Sequence, residues 1–158
     1  MLNFQIFISQ ISGTEVTFSL AILLSIFLYK KDDPKDFYKI LFTSTLAMFF
    51  TYSLKYLLKI PRPEDMLVIA HDYRFPSGHA TMAAVVMSLA MHYTHIHIKN
   101  KAIKYSLYAS ALIWYILVSY SRLYLHVHYP IDVIVGGAIG VFSTVLVLKI
   151  FKHLHYYK

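Results

Sequence analysis

The sequence predicts an all-α protein: a polytopic membrane helical bundle with about five transmembrane helices and an N-terminal interfacial helix. Two observations predict this class. Hydrophobic residues make up 58% of the 158 residues and charged residues only 15%, and the charged residues fall between long uncharged runs. Uncharged apolar runs of about 20 residues can cross a bilayer as helices. The chain has room for such runs and short connections, so we expect one membrane-embedded domain over residues 1–158.

Polar residues separate the predicted helices. The N-terminal segment, residues 1–12, has apolar side chains at helical spacing but is too short to cross a membrane, which is typical of a helix lying at the membrane interface. Ser12 and Glu15 have capping-box spacing just before the first long apolar run. We place transmembrane helices at residues 16–29, 37–58, 78–95, 103–120 and 131–150.

The lysine positions predict the orientation of the bundle. Ten lysines flank the first connection, the third connection and the end of the last helix: Lys30, Lys31, Lys35, Lys39, Lys99, Lys101, Lys104, Lys149, Lys152 and Lys158. With five alternating helices all ten lie on one side, which the positive-inside rule makes cytoplasmic. We therefore expect a multi-pass protein of the bacterial inner (plasma) membrane, with its N-terminus and both long polar loops extracytoplasmic and its C-terminus cytoplasmic. The net charge of +7 then follows from topology, and indicates neither a nucleic acid nor a protein partner.

Polar residues gather at the helix ends that share the predicted outer face. They are Lys55, Arg62, Ser77, Gly78, His79, Arg122, His128 and Asp132. Ionisable groups at a membrane boundary are costly unless paired or solvated, so they indicate a functional site. Arg62 and Arg122 can hold phosphate oxygens through paired donors, while Lys55 adds a compact charge. Ser77 suits a helix N-cap and Gly78 permits close approach to the first-turn amides, which together favour anion binding.

The pair His128 and Asp132 suggests a reactive imidazole. Pro130 suits the first turn of a helix, which places Asp132 in that turn, within reach of His128. A carboxylate that holds an imidazole in one tautomer makes it a directed base or nucleophile. His79 adds a second imidazole that could act as an acid. Charge neutralisation, a nucleophile and an acid are what phosphoryl transfer requires.

These residues form three motifs in order along the chain: K-x6-R-P from Lys55, P-S-G-H from Pro76 and S-R-x5-H-x3-D from Ser121. Together they resemble the three signatures of the type 2 phosphatidic acid phosphatase family, in its bacterial integral-membrane branch. The resemblance implies that His128 is a nucleophile that becomes phosphohistidine, that Asp132 orients it, and that His79 is the general acid. It also implies that no metal or other cofactor is used, and that five residues hold the phosphoryl group: Lys55, Arg62, Ser77, Gly78 and Arg122. Many members have six transmembrane helices, so our count departs from the family at the N-terminus.

By this resemblance we expect an integral membrane lipid phosphatase that cleaves a phosphomonoester or pyrophosphate of an envelope lipid at the outer leaflet. Its partners would be the bilayer and one of four lipids: lipid A 1-phosphate, undecaprenyl pyrophosphate, phosphatidylglycerol phosphate or phosphatidic acid. A transporter would need ionisable residues at mid-membrane, which the predicted helices almost lack. Vanadate-binding haloperoxidases share the family's anion site but are soluble. A catalytically silent lipid-binding relative would not require the complete set of His79, His128 and Asp132.

Several other residues have a simpler structural interpretation. The pair His126 and His128 could suggest zinc, but no third ligand is evident. His71 and Arg74 are read as loop residues near the site. The three histidines His92, His95 and His97 are read as a rim at the level of the lipid head groups. The three glycines Gly136, Gly137 and Gly140 are read as sites of close helix packing.

Overall fold

The computed structural model describes residues 1–14, 16–19, 22 and 34–156. Within these ranges it has no strand and contains five bounded helices, which we number α1 (Leu2–Ile11), α2 (Pro34–Leu58), α3 (Gly78–His97), α4 (Lys101–Tyr124) and α5 (Pro130–Tyr156). The predicted all-α class is confirmed. Most of the predicted helix at residues 16–29 lies outside the described residues, of which 16–19 and 22 are helical.

The observed helices extend beyond the apolar runs from which they were predicted. Polar flanking residues continue the main-chain hydrogen bonding because helix ends at a membrane surface tolerate charged side chains. The caps then decide where two helices begin. Asn100 accepts a hydrogen bond from the main-chain N–H of Ile103 at 3.2 Å, and Ser77 accepts one from Ala80, as the sequence predicted for Ser77.

Three helices in the described ranges are long and apolar enough to cross a membrane. They cover Lys35–Leu58, Lys101–Tyr124 and Pro130–His153. Large apolar side chains on α4, such as Leu107, Ile113 and Ile116, are exposed, as expected for a surface that faces lipid. By the same measures α3 does not qualify, so its placement as a transmembrane helix stays a prediction.

Helix α3 lies at the centre of the bundle and packs against α5, α4 and α2. Small residues make this close packing possible. A Cβ atom at Gly136 of α5 would lie 2.5 Å from the carbonyl oxygen of Ser77, and one at Gly140 would overlap the carbonyl oxygen of Thr81. The predicted packing role of these glycines is confirmed. It brings the start of α5 against the start of α3, where the Ser77 N–H donates to the Asp132 carbonyl at 2.9 Å.

Helix α1 packs against α4 and buries both a polar and an apolar side chain. Gln5 and Ile8 are buried, whereas Phe4 and Phe7 are exposed. Ile8 packs against Ala83 and Val118 of the bundle. The location of α1 at the membrane interface stays a prediction.

Candidate active site

A cavity of about 600 Å³ opens at the end of the bundle where α3 and α5 begin. Its walls come from α1, the ends of α2 and α4, the loops between α2 and α3 and between α4 and α5, and the start of α3. Six of the eight predicted site residues line it: Lys55, Arg62, Gly78, His79, Arg122 and His128. The other two, Ser77 and Asp132, are fully buried behind this wall. The fold thus brings together the residues that the three motifs predicted.

Asp132 lies behind the ring of His128, on the side away from the cavity. Its Oδ2 is 3.4 Å from Nδ1 of His128, a long contact in which Nδ1 does not form a hydrogen bond. The same oxygen accepts a hydrogen bond from the Tyr129 N–H at 2.8 Å. This is the arrangement of a capping box, because Asp132 lies in the first turn of α5 and reaches back to the residue before Pro130.

The other ring nitrogen of His128 faces the cations of the cavity. Nε2 lies 3.4 Å from Nη1 of Arg62, and this nitrogen of Arg62 also donates to the Val127 carbonyl at 2.8 Å. With Nδ1 facing Asp132, Nε2 is the atom available to a substrate in the cavity.

Burial lowers the pKa of His128 to about 4, and the positive charges of Arg62 and Lys55 act in the same direction, against the carboxylate of Asp132. The imidazole is therefore neutral near pH 7, so Nε2, 3.4 Å from Nη1 of Arg62, carries an unprotonated lone pair for nucleophilic attack.

Lys55 and Arg62 share one carboxylate, that of Asp72. Nζ of Lys55 is 3.0 Å from Oδ2 of Asp72, and Nη2 of Arg62 contacts Oδ1. Nε of Arg62 also donates to the Asp72 carbonyl at 2.8 Å, and Lys55 donates to the carbonyl of Tyr73. Burial raises the pKa of Asp72, but the hydrogen bond from Arg62 and the charge of Lys55 outweigh it and hold this pKa below its usual value. Asp72 is thus a carboxylate beside two of the three predicted phosphate-binding cations.

The N-terminal segment supplies contacts to the remaining predicted residues. The Ser9 hydroxyl of α1 accepts a hydrogen bond from Nη2 of Arg122 at 2.6 Å. Arg122 is buried, and within the described ranges its Nε has no hydrogen-bond partner. The Thr14 hydroxyl lies 3.4 Å from Nδ1 of His79, and a Cβ at Gly78 would lie 3.0 Å from the same hydroxyl. The site is therefore completed by residues outside the three motifs.

Arg74 is a site residue that the sequence interpretation treated as an ordinary loop residue. Its guanidinium donates to Oδ1 of Asp132 and lies 4.7 Å from the centroid of the Tyr129 ring. The only hint in the sequence is its position two residues before Pro76, in the loop that leads into α3.

Of the other histidines, His71 lines the cavity, as its predicted place near the site suggested, whereas His126 and His95 do not. Nδ1 of His126 contacts Oδ2 of Asp65 at 2.6 Å, and both side chains are largely exposed, whereas His128 is buried. His95 contacts Tyr108 through Nδ1. No group of three metal-ligating side chains occurs in the part of the chain that the structure describes, so the third ligand that a zinc site at His126 and His128 needs is not found there.

Fold and site together define a helical membrane protein with a cationic cavity lined by a histidine, behind which lies a carboxylate. Residues 36–156 match the PAP2 superfamily. The chain therefore belongs to this family, as its motifs predicted.

Two solved structures share the fold. The structure of the transmembrane PAP2 type phosphatidylglycerolphosphate phosphatase from Bacillus subtilis superposes with a TM-score of 0.83 at 23% sequence identity, over 96% of this chain and 77% of that one. That of Aquifex aeolicus LpxE superposes with a TM-score of 0.72 at 28% identity, over 94% of this chain and 85% of the other. With the apolar helices, these neighbours confirm an integral membrane protein.

A curated relative matches part of the chain. Phosphatidylglycerophosphatase B of Haemophilus influenzae is 38% identical over 65 residues, which is 40% of this chain and 27% of that protein. The chain thus covers about a quarter of the length of this relative.

Proposed function

We propose that the protein is a lipid phosphatase that hydrolyses a terminal phosphate or pyrophosphate of a membrane lipid through a phosphohistidine at His128. The observation that carries this proposal is the cavity itself. Three cations, Lys55, Arg62 and Arg122, line it together with His79 and His128. Fixed positive charge around a neutral imidazole suits a dianionic phosphoryl group and stabilises the charge that develops on it during transfer.

The first step follows from the orientation of His128. Its Nε2 attacks phosphorus, a new N–P bond forms, and the bond from phosphorus to the lipid oxygen breaks. His79 gives its proton to that leaving oxygen as general acid. Asp132 stabilises the positive charge on the ring of His128 from the Nδ1 side, as the third member of a catalytic triad does.

The second step releases phosphate. A water molecule attacks the phosphohistidine, its oxygen bonds to phosphorus, and the N–P bond breaks so that His128 is neutral again. His79, deprotonated in the first step, accepts the proton from this water. Lys55, Arg62 and Arg122 hold the phosphoryl oxygens in both steps, with the first-turn amides at Gly78. Ser77 contributes by capping α3.

The substrate would enter from the outer leaflet of the bacterial inner membrane, with the N-terminus and the site extracytoplasmic and the C-terminus cytoplasmic. Two of the relatives above carry names that refer to phosphatidylglycerophosphate, so that lipid is the first to test. Lipid A 1-phosphate, undecaprenyl pyrophosphate and phosphatidic acid remain candidates, since each presents a terminal phosphate on an apolar anchor.

The test is phosphate release from these four lipids by the purified protein in detergent. We expect release from at least one lipid by the wild type and none from any lipid by His128→Ala. If the folded wild type released phosphate from none of the four, the proposal would be wrong, and a catalytically silent lipid-binding or transport relative would take its place.

A further inference from the structure

Two of the three cations that would bind the phosphoryl group, Lys55 and Arg62, are already paired with Asp72. One carboxylate oxygen contacts Arg62 and the other lies 3.0 Å from Nζ of Lys55. The two carboxylate oxygens of Asp72 therefore make the contacts with a guanidinium and an ammonium that two phosphoryl oxygens would make. Nη1 of Arg62 also lies 3.4 Å from Nε2 of His128, so the guanidinium that holds this carboxylate also contacts the nucleophile.

A phosphoryl group and the Asp72 carboxylate cannot both occupy this position. The two anions would compete for the same donors, and their mutual repulsion in a partly buried cavity would be larger than in water. A ligand must therefore displace Asp72. The exchange is favourable only when the ligand interacts more strongly with Lys55 and Arg62 than the Asp72 carboxylate does.

The surrounding loop allows such a displacement. The N–H of Leu67 donates to the Leu125 carbonyl at 3.1 Å, and the N–H of Arg74 donates to the Ile60 carbonyl at 3.1 Å. Between these two anchors, residues 68–72 make no main-chain hydrogen bond to the main chain of another described residue, although the Asp72 carbonyl accepts one from the Arg62 side chain. The Asp72 side chain is 41% exposed, which gives the carboxylate a path to water. Moving it costs chiefly the contacts with Lys55 and Arg62, which an incoming phosphate replaces.

We infer that Asp72 is a specificity-determining residue that excludes phosphodiesters and admits terminal phosphates. A phosphodiester carries one negative charge, the same as the carboxylate it must displace. A terminal phosphate carries about 1.5 to 2 negative charges near pH 7 and gains more from the two cations. The phosphodiester head groups of bulk phospholipids are thereby kept from the position next to Lys55 and Arg62. The inference deepens the proposed function and rests on it for the choice of the cavity as the phosphate site.

The test is equilibrium binding of orthophosphate and of dimethyl phosphate, a water-soluble diester, to the purified protein in detergent by calorimetry. The wild type should bind orthophosphate and discriminate against dimethyl phosphate. Asp72→Asn should bind orthophosphate at least about tenfold more tightly than the wild type. In the wild type, only the state in which the Asp72 carboxylate has left the two cations can bind phosphate, and a population of about 10% or less for this state weakens the apparent affinity about tenfold or more. The affinity of Asp72→Asn for dimethyl phosphate should rise by a larger factor, so that the discrimination narrows.

The matched control is Asp65→Asn, the same change in the same loop at a carboxylate that contacts His126 instead of the two cations. It should leave both affinities unchanged. Asp72→Ser repeats the test with a smaller neutral side chain should Asp72→Asn fail to fold. Weaker or unchanged orthophosphate binding in a folded Asp72 variant would overturn the inference and make Asp72 a structural brace for Lys55 and Arg62. Absence of orthophosphate binding in every protein would overturn it as well.

These measurements need no turnover, so their outcome is separate from that of the lipid panel. Tighter and less selective binding by Asp72→Asn, in a protein that releases phosphate from no lipid, would refute the phosphatase and leave the role of Asp72 standing. Phosphate release by the wild type, with no change of binding in Asp72→Asn, would support the phosphatase and refute the role of Asp72.

Discussion

Arg74 contacts Asp132 across 58 positions of the chain, joining the loop before α3 to the first turn of α5. The contact uses Oδ1 of Asp132, whereas Oδ2 faces His128 and the Tyr129 N–H. The guanidinium therefore contacts the oxygen of this carboxylate that does not face the nucleophile. In this arrangement Arg74 is a positioning residue.

We predict that Arg74→Ala lowers kcat about 10- to 100-fold with little change in KM. A hydrogen bond to a charged group contributes about 1.5–3 kcal/mol, and its loss would let Asp132 and His128 leave the geometry of attack. The kcat of Arg74→Lys should lie between that of Arg74→Ala and that of the wild type. Steady-state kinetics on the preferred lipid would measure both constants.

The control for Arg74 is Lys59→Ala, which removes an exposed cation where the same loop begins and should leave kcat unchanged. A rise in KM with kcat preserved would contradict the positioning role and indicate that Arg74 binds the substrate instead.

Alanine substitutions of the two site histidines should have different effects on catalysis. His128→Ala should abolish both hydrolysis and covalent labelling, because it removes the atom that bonds to phosphorus. His79→Ala should slow formation of the phosphoenzyme about 10²- to 10⁴-fold, as loss of a general acid does, and less for a pyrophosphate, whose leaving group needs less protonation. Rapid-quench trapping with ³²P-labelled lipid, followed by a test for an acid-labile, base-stable adduct, would measure this.

His126→Ala is the matched control for the histidine pair, since this ring contacts Asp65 outside the cavity. Its labelling should equal that of the wild type. An adduct that survives in His128→Ala and disappears in His79→Ala would mean that the two roles are exchanged.

The buried position of His128 predicts how its ring titrates. Burial, together with the charges of Arg62 and Lys55, lowers its pKa to about 4 despite the carboxylate of Asp132, whereas an ordinary histidine titrates near about 6.5. As the pH falls from about 6.5 towards 4, the unfolded chain takes up a proton that the folded protein does not, so the folded state loses stability over this window. NMR of histidine-labelled protein in micelles, with His128→Asn for assignment, would give the pKa directly. A ring that titrates near 6.5 would show that water reaches Nε2 freely.

The predicted orientation can be tested with single cysteines because the chain has none of its own. We expect Glu64→Cys, in the loop over the cavity, to react with an impermeant maleimide added to intact cells. His97→Cys, exposed at the far end of α3, should react only after the membrane is opened. The reverse pattern would place the cavity on the cytoplasmic side and the substrate in the inner leaflet.

Removal of divalent metal should leave the activity intact. Lys55, Arg62 and Arg122 already place three positive charges around the cavity, which is the role a metal ion has in other phosphoryl-transfer sites. Phosphate release in EDTA should match that in untreated enzyme. Loss of activity that zinc or magnesium restores would contradict this prediction and return attention to the pair His126 and His128.

Much of this molecule follows from local patterns in the sequence. Apolar runs with polar ends predict the helices, since a membrane requires every main-chain group to be hydrogen-bonded within its own segment. Ser77 caps α3, and Pro130 begins α5 with Asp132 in its first turn, because caps and first turns depend on neighbours in the chain. The motif residues could also be assigned, since each motif lies at a predicted helix end on the same face.

Only the tertiary structure decided which partners these residues have. Arg74 reaches Asp132 across 58 positions, and Arg122 reaches Ser9 across 113. Asp72 pairs with both Lys55 and Arg62 because the loop between α2 and α3 folds back over the end of α2. Such contacts depend on the path of a loop and on how closely α5 packs on α3, and no local pattern of residues encodes either. The sequence alone therefore determined which groups are available for chemistry, and the packing of the helices determined which of them meet.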